Sequence, residues 1–397
     1  MKRTKKIVVA AVSVVVTVIL FLGLQRLVEP KYGDDVLEGN FTAEYYEETT
    51  AHDVIMIGDC EVYENFDPMY LWKEYGITSY IRGNAQQLVW QSYYMLEDTL
   101  KYETPEVVIY NVQALSHGEP QKETYNRMTL DGMKWSKTKY EAIQASMCPE
   151  EKMVEYVVPM LRYHSRITEL SKSDLQYYWN PRKVTHNGYY MRIDVLPVSQ
   201  SDVADTDWLL GDEVQEEIDE IEDPWGEIED PWGDMDTGTE NEEEELPDEE
   251  DEGDYAFSDY AMQYLDRIRI LCEENDIQLI LIKAPSLAPQ WYDAQNQQVV
   301  DYAEKYDLEY INFYNLLDET GVDFETDTYD GGLHMNLSGA DKLSEYLGSV
   351  LVNEYGVKDH REDSELAEEY DAKYEFYEEM KAAQQKELDT YGEIRSY

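Results

Sequence analysis

Basic residues and cysteines are scarce in this sequence, and each shortage excludes a class of protein. Lys and Arg total only 32 against 86 Asp and Glu, so the formal net charge is −54. Nucleic acid is excluded as a partner, because phosphate binding needs a basic surface. Three cysteines in 397 residues cannot build a disulfide framework. Hydrophobic residues make up 43% of the chain, which is enough to form a hydrophobic core. The length of 397 residues allows one large domain with additions or two or three domains.

The first 28 residues are typical of a membrane anchor. Four basic residues among the first six precede an uncharged run from Ile7 to Leu24. At ~1.5 Å per residue this run spans ~27 Å, enough to cross the hydrocarbon core of a bilayer. The basic residues predict a cytoplasmic N terminus, with everything after Gln25 outside the cytoplasm. A cleaved signal peptide is the alternative, but the run is long and lacks a small-residue cleavage site, which favours a single-pass anchor in the cell membrane.

An acidic low-complexity insertion is predicted over residues 201–254. From Ser201 to Tyr255 the chain has 27 Asp or Glu and no Lys or Arg. Like-charged blocks punctuated by Pro and Gly cannot bury enough apolar surface to fold alone, so we expect disorder. Low-affinity Ca²⁺ binding by the carboxylates is the alternative, although the spacing of an EF-hand loop is absent.

The last segment, residues 359–397, is rich in Glu, Lys, Ala and Tyr. Glu365 to Tyr391 is predicted to form one long charged helix. Because it shows little apolar periodicity, we expect a solvated appendage.

The remaining residues, 29–200 and 255–358, alternate short apolar runs with amphipathic stretches. Near-continuous apolar strands between helices predict an α/β protein, a three-layer α/β/α sandwich with a central parallel sheet of the flavodoxin-like kind. The predicted strands are Val54–Gly58, Thr78–Arg82, Val107–Tyr110, Leu279–Ile282 and Tyr310–Asn312. The predicted helices are Leu88–Leu100, Tyr260–Glu274, Gln295–Lys305 and Ser338–Glu354.

Ligands of such folds bind at the carboxyl ends of the strands, so the residues there are candidates for function. Gly58-Asp59-Cys60-Glu61 follows the first strand, and Arg82-Gly83-Asn84-Ala85-Gln86-Gln87 follows the second. Asn111 follows the third, Lys283 follows the fourth, and the stretch Asp327 to Asn336 lies beyond the fifth.

These motifs resemble the SGNH (GDSL-type) hydrolase superfamily, especially its membrane-anchored extracytoplasmic branch. That branch includes proteins similar to the D-alanyl transfer protein of teichoic acid modification and to polysaccharide O-acetyltransferases. The resemblance covers roughly Asp53 to Glu354 without the acidic insertion. It is most specific over Ile55 to Gln91 and over Asp327 to Lys342.

The resemblance implies a catalytic centre. Cys60 stands where these proteins have the nucleophilic Ser, and His334 matches the base. The Cys60 amide, Gly83 and the Asn111 side chain would form the oxyanion hole. Asp330 is assigned to orient His334, although it lies four residues before the histidine rather than three, and Asp327 is the alternative.

The chemistry of these residue types suits acyl transfer. A neighbouring imidazole can bring a thiol of pKa ~8.5 into the working range, and the resulting thioester can pass its acyl group to an alcohol. Asp59, Gln87, Lys283 and Trp291 are weaker candidates for substrate binding. Cys148 and Cys272 are expected to be structural, and no Cys/His spacing or Gly-rich loop indicates a metal or a cofactor.

Two functions therefore remain open. The first is a membrane-anchored extracytoplasmic acyltransferase or esterase acting on cell-envelope polysaccharide, with a glycan or an acyl donor as its partner. The second is a catalytically inactive SGNH-like scaffold that binds glycan or a multi-spanning membrane acyltransferase. The replacement of Ser by Cys is compatible with the inactive scaffold, because pseudoenzymes arise by such changes.

Overall fold

Five parallel strands form one sheet in the computed structural model, which describes residues 2–29, 37–168, 170–172, 174–175, 183–198 and 256–395. The strand order is β2-β1-β3-β4-β5. The strands are β1 (Val54–Gly58), β2 (Ser79–Gly83), β3 (Val107–Asn111), β4 (Gln278–Lys283) and β5 (Glu309–Asn312). This is a common doubly wound order, and the direction of winding reverses between β1 and β3. A ligand crevice is therefore expected at the carboxyl ends of these two strands.

Helices flank the sheet. In the described residues they are α1 (Lys2–Val28), α2 (Phe41–Glu44), α3 (Cys60–Tyr63), α4 (Pro68–Tyr70), α5 (Val89–Thr99), α6 (Glu123–Leu130), α7 (Lys137–Ser146), α8 (Met153–Val157), α9 (Met160–Tyr163), α10 (Asp259–Glu274), α11 (Asp293–Tyr306), α12 (Leu317–Thr320), α13 (Leu337–Asn353) and α14 (Ser364–Tyr391). Short 3₁₀ turns and one π turn (Leu71–Tyr75) connect several of them.

Both faces of the sheet are buried at its central strands, which explains why β1 and β3 are mostly apolar. Along β1, Val54 and Met56 point into one core, and Ile55 and Ile57 into the other. All four side chains are fully buried. Each such side chain contributes roughly 1.5–3 kcal/mol of burial free energy, so a polar residue at any of them would be costly.

The two predicted halves of the folded part build a single sheet. Strand β3 pairs in parallel with β4, with Val107 opposite Gln278 and Asn111 opposite Ile282. All five predicted strands are found within a residue or so of their predicted bounds. The predicted acidic insertion, residues 201–254, lies outside the described residues.

Helix α1 is long and apolar enough to span a membrane. Within its stretch Thr4–Val28, an 18-residue window has a mean hydropathy of 3.0, and the apolar side chains of the helix are exposed up to Leu24. From Gln25 onward the helix contacts the folded domain, and Val28 is completely buried.

The C-terminal helix α14 corrects one expectation from the sequence. The helix itself is found where it was predicted, but it packs on the domain and is not a solvated appendage. Tyr370 stacks on Trp72 with ring centroids 4.2 Å apart. Tyr377 donates a hydrogen bond to Asp67 at 2.6 Å, and Gln384 donates one to the Met191 carbonyl at 2.8 Å. These three residues repeat every seven positions and form the buried stripe of an otherwise charged helix.

Removing the Tyr377 hydroxyl is expected to loosen this helix. Tyr377→Phe leaves the fully buried Asp67 carboxyl without one of its donors, which costs about 1–3 kcal/mol of unfolding free energy. Chemical denaturation of the detergent-solubilised full chain measures the difference. Tyr391→Phe, on the exposed end of the same helix, is the matched control and should change stability by less than about 0.5 kcal/mol. Equal effects of the two variants would contradict this account of the docking.

Candidate active site

Cys60 lies at the sharp turn between β1 and α3, at the carboxyl end of the sheet. Gly58 makes this turn with φ +155°, and a Cβ there would lie 2.5 Å from the Val62 side chain, so only glycine fits. The Asp59 carboxylate accepts the Glu61 amide at 3.2 Å and caps α3. The sequence Gly-Asp-Cys thus presents a half-buried thiol at the first helical position, where the Cys60 amide has no carbonyl of its own helix to bond.

His334 lies in the loop that leads into α13. The Asp330 carboxylate holds it twice, accepting the His334 amide at 2.9 Å and lying 2.6 Å from ring atom Nδ1. Asn336 caps α13 by accepting the amides of Ser338 and Gly339. The spacing of four residues between Asp330 and His334 is therefore compatible with the orienting contact.

Asp327, the alternative orienting acid, lies elsewhere. Its Oδ2 atom pairs with Lys342 Nζ at 2.5 Å and accepts the Asp323 amide at 2.8 Å. The structure therefore places Asp330, and not Asp327, beside the imidazole.

The thiol and the imidazole come together although 274 positions separate them in the chain, since 334 − 60 = 274. The two side chains lie close enough for the His334 imidazole to lower the pKa of the Cys60 thiol. Because Nδ1 faces Asp330, Nε2 is the ring nitrogen left for the thiol. Cys60, His334 and Asp330 thus lie in the order that nucleophilic acyl transfer needs, and we call these three residues the relay.

Burial sets the resting charge of this relay. It raises the pKa of the Cys60 thiol to about 11, although the neighbouring His334 pulls that pKa down. Burial also lowers the pKa of His334, but the surrounding negative charges, first that of Glu64, outweigh it and raise this pKa well above its ordinary value. At neutral pH the thiol and the imidazole are therefore both protonated, and His334 can accept the thiol proton only as its own proton is lost at higher pH.

A second carboxylate beside His334 was not identified from the sequence. Glu64 Oε2 lies 3.6 Å from His334 Nδ1, and the Tyr329 hydroxyl donates a very short hydrogen bond to the same carboxylate. Burial raises the pKa of Glu64. Burial likewise raises the pKa of Glu38, whose charge interacts with that of Glu64, to about 7. The i, i+4 spacing of Cys60 and Glu64 was the available signal, since such residues share a helix face.

Gly83, predicted to contribute to the oxyanion hole, lies beside the turn that carries Cys60. It pairs with Gly58 in the parallel register of β1 and β2. A Cβ on Gly83 would lie 3.2 Å from the carbonyl oxygens of Gly58 and Asp59, so its backbone passes directly beside the turn that carries Cys60.

Asn111 differs from its predicted role. Its side-chain Nδ2 donates to Asp59 at 3.2 Å and to Glu61 at 3.0 Å, and its Oδ1 accepts the Ala284 amide at 3.3 Å. Both amide hydrogens are therefore committed to carboxylates, and the side chain is completely buried. In this structure Asn111 supports the nucleophile turn, and it is not free to donate to an oxyanion.

Lys283 and Asp59 belong to the same buried network, which corrects their assignment to substrate binding. Lys283 Nζ lies 2.8 and 3.0 Å from the two carboxylate oxygens of Glu61, and both side chains are almost fully buried. Burial, then the charge of Glu61, raises the pKa of Asp59 to about 7. The network lies behind the Cys60 turn and braces it from inside the core.

The other two weak candidates also have structural contacts. Gln87 is completely buried and donates to the Arg82 carbonyl at 3.2 Å and to Ser92 Oγ at 3.0 Å. Trp291 is half-buried and packs on the core, with Lys283 Nζ 5.5 Å from its ring centroid. Gln87 therefore stabilises the loop after β2 and does not line an open cleft. Cys148 and Cys272 are both buried, as expected for structural thiols.

The ligand atoms of Glu64, Asp330 and His334 lie within 4.8 Å of one another, close enough to hold a metal ion. One imidazole and two carboxylates form a donor set that several divalent metals accept. The same atoms already form the hydrogen bonds that orient His334 and Tyr329. A cation there would compete with the relay to Cys60.

Comparison with known proteins adds no family assignment. No protein-family model matches the chain, and neither a curated protein nor a solved structure is significantly similar to it. The fold and site described above therefore carry the functional argument.

Alkylation of Cys60 by iodoacetamide is expected to be slow at neutral pH and to accelerate as pH rises. Its pKa of about 11 means that the thiolate fraction grows about tenfold per pH unit across the accessible range. Glu64→Gln should speed the reaction, because the Glu64 charge raises the pKa of Cys60. His334→Gln should slow it, because His334 lowers that pKa. Peptide mass spectrometry measures the rate at Cys60, with the buried Cys272 as internal control. The opposite order of the two variants would contradict the proposed charge balance.

Proposed function

We propose that this chain is a membrane-anchored acyltransferase or esterase of the SGNH type that acts through a thioester on Cys60. The observation that carries the proposal is the relay at the carboxyl end of the sheet. His334 lies close enough to Cys60 to lower the pKa of its thiol, and His334 Nδ1 lies 2.6 Å from Asp330. A nucleophile, a base and an orienting acid in contact are what acyl transfer requires.

In the first half-reaction His334 takes the thiol proton while Cys60 Sγ attacks the carbonyl carbon of an ester. A C–S bond forms, and the carbonyl oxygen becomes an oxyanion that the Cys60 amide and the backbone at Gly83 can stabilise. Collapse breaks the C–O bond, the alcohol leaves with the proton from His334, and an acyl thioester remains on Cys60. Asp330 holds the imidazolium in orientation throughout.

The second half-reaction decides between transfer and hydrolysis. His334 removes a proton from an acceptor hydroxyl or from water, the new C–O bond forms, and the C–S bond breaks with return of the proton to Cys60. A sugar hydroxyl as acceptor gives an acylated polysaccharide, whereas water gives a free acid.

The substrate class follows from the anchor. Helix α1 is long and apolar enough to cross a bilayer, and the basic residues before it favour a cytoplasmic N terminus. The domain would then face the cell envelope, where polysaccharides carrying O-acyl groups are the accessible acceptors. A multi-spanning membrane acyltransferase that supplies the acyl group is the protein partner we propose.

The second candidate is an inactive SGNH-like scaffold that binds a glycan or that acyltransferase. Two observations favour it: burial raises the pKa of the Cys60 thiol, and the Asn111 amide is committed to carboxylates. In this scaffold the relay has only a structural role, and the domain binds the glycan or the acyltransferase without catalysing a reaction.

Trapping of the thioester distinguishes the two candidates. The full chain in detergent is incubated with p-nitrophenyl acetate above neutral pH, quenched in acid and digested for mass spectrometry. Acetylation of Cys60 that is reversed by neutral hydroxylamine, and that is lost in His334→Gln, supports the enzyme. Cys60 left unmodified while p-nitrophenol release matches that of Cys60→Ala would leave only the scaffold.

A further inference from the structure

The segment 153–175 carries an unusual density of exposed aliphatic side chains. Over the described residues, eight Val, Leu or Ile side chains outside α1 are exposed, and five of them belong to this segment. We name these five the juxtamembrane patch: Val154, Val157, Leu161, Ile167 and Leu175. A concentration of exposed apolar side chains on a protein surface marks a site of contact with a membrane or with another molecule.

The patch adjoins the end of the apolar helix. Leu24 is the last exposed apolar residue of α1, and the next residue, Gln25, is buried against the domain. Gln25 Oε1 accepts the Met160 amide at 3.0 Å, so Leu161 directly follows the residue that contacts the helix. At ~1.5 Å rise per residue, this contact lies within about one helical turn of the end of the apolar stretch.

A second tie fixes the helix to the same segment. The Arg166 guanidinium donates to the carbonyl oxygens of Val28 at 3.0 Å and Glu29 at 2.5 Å. These carbonyls lie at the C-terminal end of α1, where the helix dipole favours a cation. Asp174 holds the same guanidinium at 3.1 Å. The patch is therefore attached to the helix end through hydrogen bonds on both sides of Leu161.

The charges around the patch suit phospholipid headgroups. Lys152 and Lys172 are exposed at its edges, in a chain whose net charge is −54. Lys152 pairs with Glu155 at 3.4 Å, so this pair adds no net charge to the surface and Lys172 is the cation at the other edge. Apolar side chains flanked by Lys are the composition of segments that lie in the membrane interface.

We infer that the juxtamembrane patch rests in the interface of the phospholipid bilayer that α1 enters. The inference rests on the membrane anchoring contained in the proposed function and is independent of its catalytic part. It adds that the domain is seated on the bilayer surface in one orientation, held by α1 and by the patch together, and does not hang from a flexible stalk.

Site-directed spin labelling of the full chain in phospholipid nanodiscs tests this inference. A Cys60→Ala background removes the one partly exposed native thiol of the described residues, and Cys148 and Cys272 are buried. Nitroxides are placed by Leu161→Cys and Val157→Cys in the patch, by Leu20→Cys in α1 and by Ile270→Cys on an exposed face of α10. Collision rates with oxygen, which partitions into lipid, and with a water-soluble nickel chelate are then compared.

The expected result is a several-fold higher oxygen-to-nickel ratio at positions 157 and 161 than at 270, approaching that at 20. Patch labels with the aqueous ratio of position 270 would overturn the inference. Patch labels shielded from both reagents would also overturn it, because a second protein copy would then cover the patch. If the label at position 20 had the same oxygen-to-nickel ratio as the label at position 270, α1 would not be in the bilayer. Both the membrane anchor and this inference would then be wrong. Thioester formation on Cys60 would be unaffected, because a separate experiment tests it.

Discussion

Cys60→Ala and His334→Gln are each expected to lower kcat/KM for p-nitrophenyl acetate by at least about 10³-fold, to a common residual rate. The two side chains act as one unit in the first half-reaction, because the thiol, with its pKa of about 11, reacts only when His334 takes its proton. Removing either should therefore cost about as much as removing both. Asp330→Asn should cost less than either, since it disturbs the orientation of the imidazole and leaves the base in place.

Three controls make this result specific to the relay. Cys272→Ala removes a buried thiol far from the crevice and should retain activity. Asp327→Asn changes the neighbouring acid that pairs with Lys342 and should have a much smaller effect than Asp330→Asn. Far-ultraviolet circular dichroism checks that each variant is folded. Losses in Cys60→Ala and His334→Gln that multiply in the double variant would mean that the two residues do not act together.

The pH profile of the same reaction should rise toward alkaline pH. The negative charges around His334 raise its pKa well above the ordinary value, so the neutral imidazole that accepts the thiol proton becomes populated only as pH increases. The high pKa of Cys60 acts in the same direction. Glu64→Gln should move the rising limb to lower pH, because Glu64 is the first of the charges that raise the pKa of His334. A profile that falls above neutral pH would contradict this charge balance.

Lys283→Met is expected to lower the unfolding free energy by about 3–5 kcal/mol, the largest stability effect we predict for a single substitution. Lys283 is 1% exposed and Glu61 2% exposed, and their charged groups lie 2.8 Å apart. Without the ammonium, the Glu61 carboxylate is left buried beside Asp59 with no cation to balance it. Equilibrium denaturation of the detergent-solubilised chain measures the loss.

Neutralising the orphaned carboxylate should restore most of that stability. Lys283→Met combined with Glu61→Gln removes both charges while leaving an oxygen for the Asn111 amide. Arg361→Met, which breaks an ion pair with Asp359 on the surface, is the matched control and should cost less than about 1 kcal/mol. If Lys283→Met costs no more than Arg361→Met, the buried pair does not brace the turn.

The strands and the place of the site could be predicted from the sequence because both follow from local rules. Strands buried on both faces are apolar throughout, so β1 and β3 stand out without any knowledge of their neighbours. Parallel strands bring their carboxyl ends to one edge, which is why Cys60 could be linked to distant residues such as Gly83.

The remaining features depend on contacts that no local pattern specifies. Whether Lys283 faces solvent or Glu61 is decided by how β4 is set against the turn after β1. The same holds for Asn111, whose residue type suits an oxyanion donor but whose neighbours are two carboxylates. The packing of α14 on the domain was only weakly indicated by the sequence. The buried residues of this helix, Tyr370, Tyr377 and Gln384, recur only once every two helical turns.

The stacking of Tyr370 on Trp72 also bears on how the chain is made. The two rings are separated by 370 − 72 = 298 residues, so the partner of Trp72 leaves the ribosome long after Trp72 itself. At about 5–20 residues per second, the surface around Trp72 stays uncovered for roughly 15–60 s during synthesis. During that interval the apolar surface around Trp72 is accessible to chaperones and can cause aggregation. In a chain truncated before α14 this surface would remain exposed permanently.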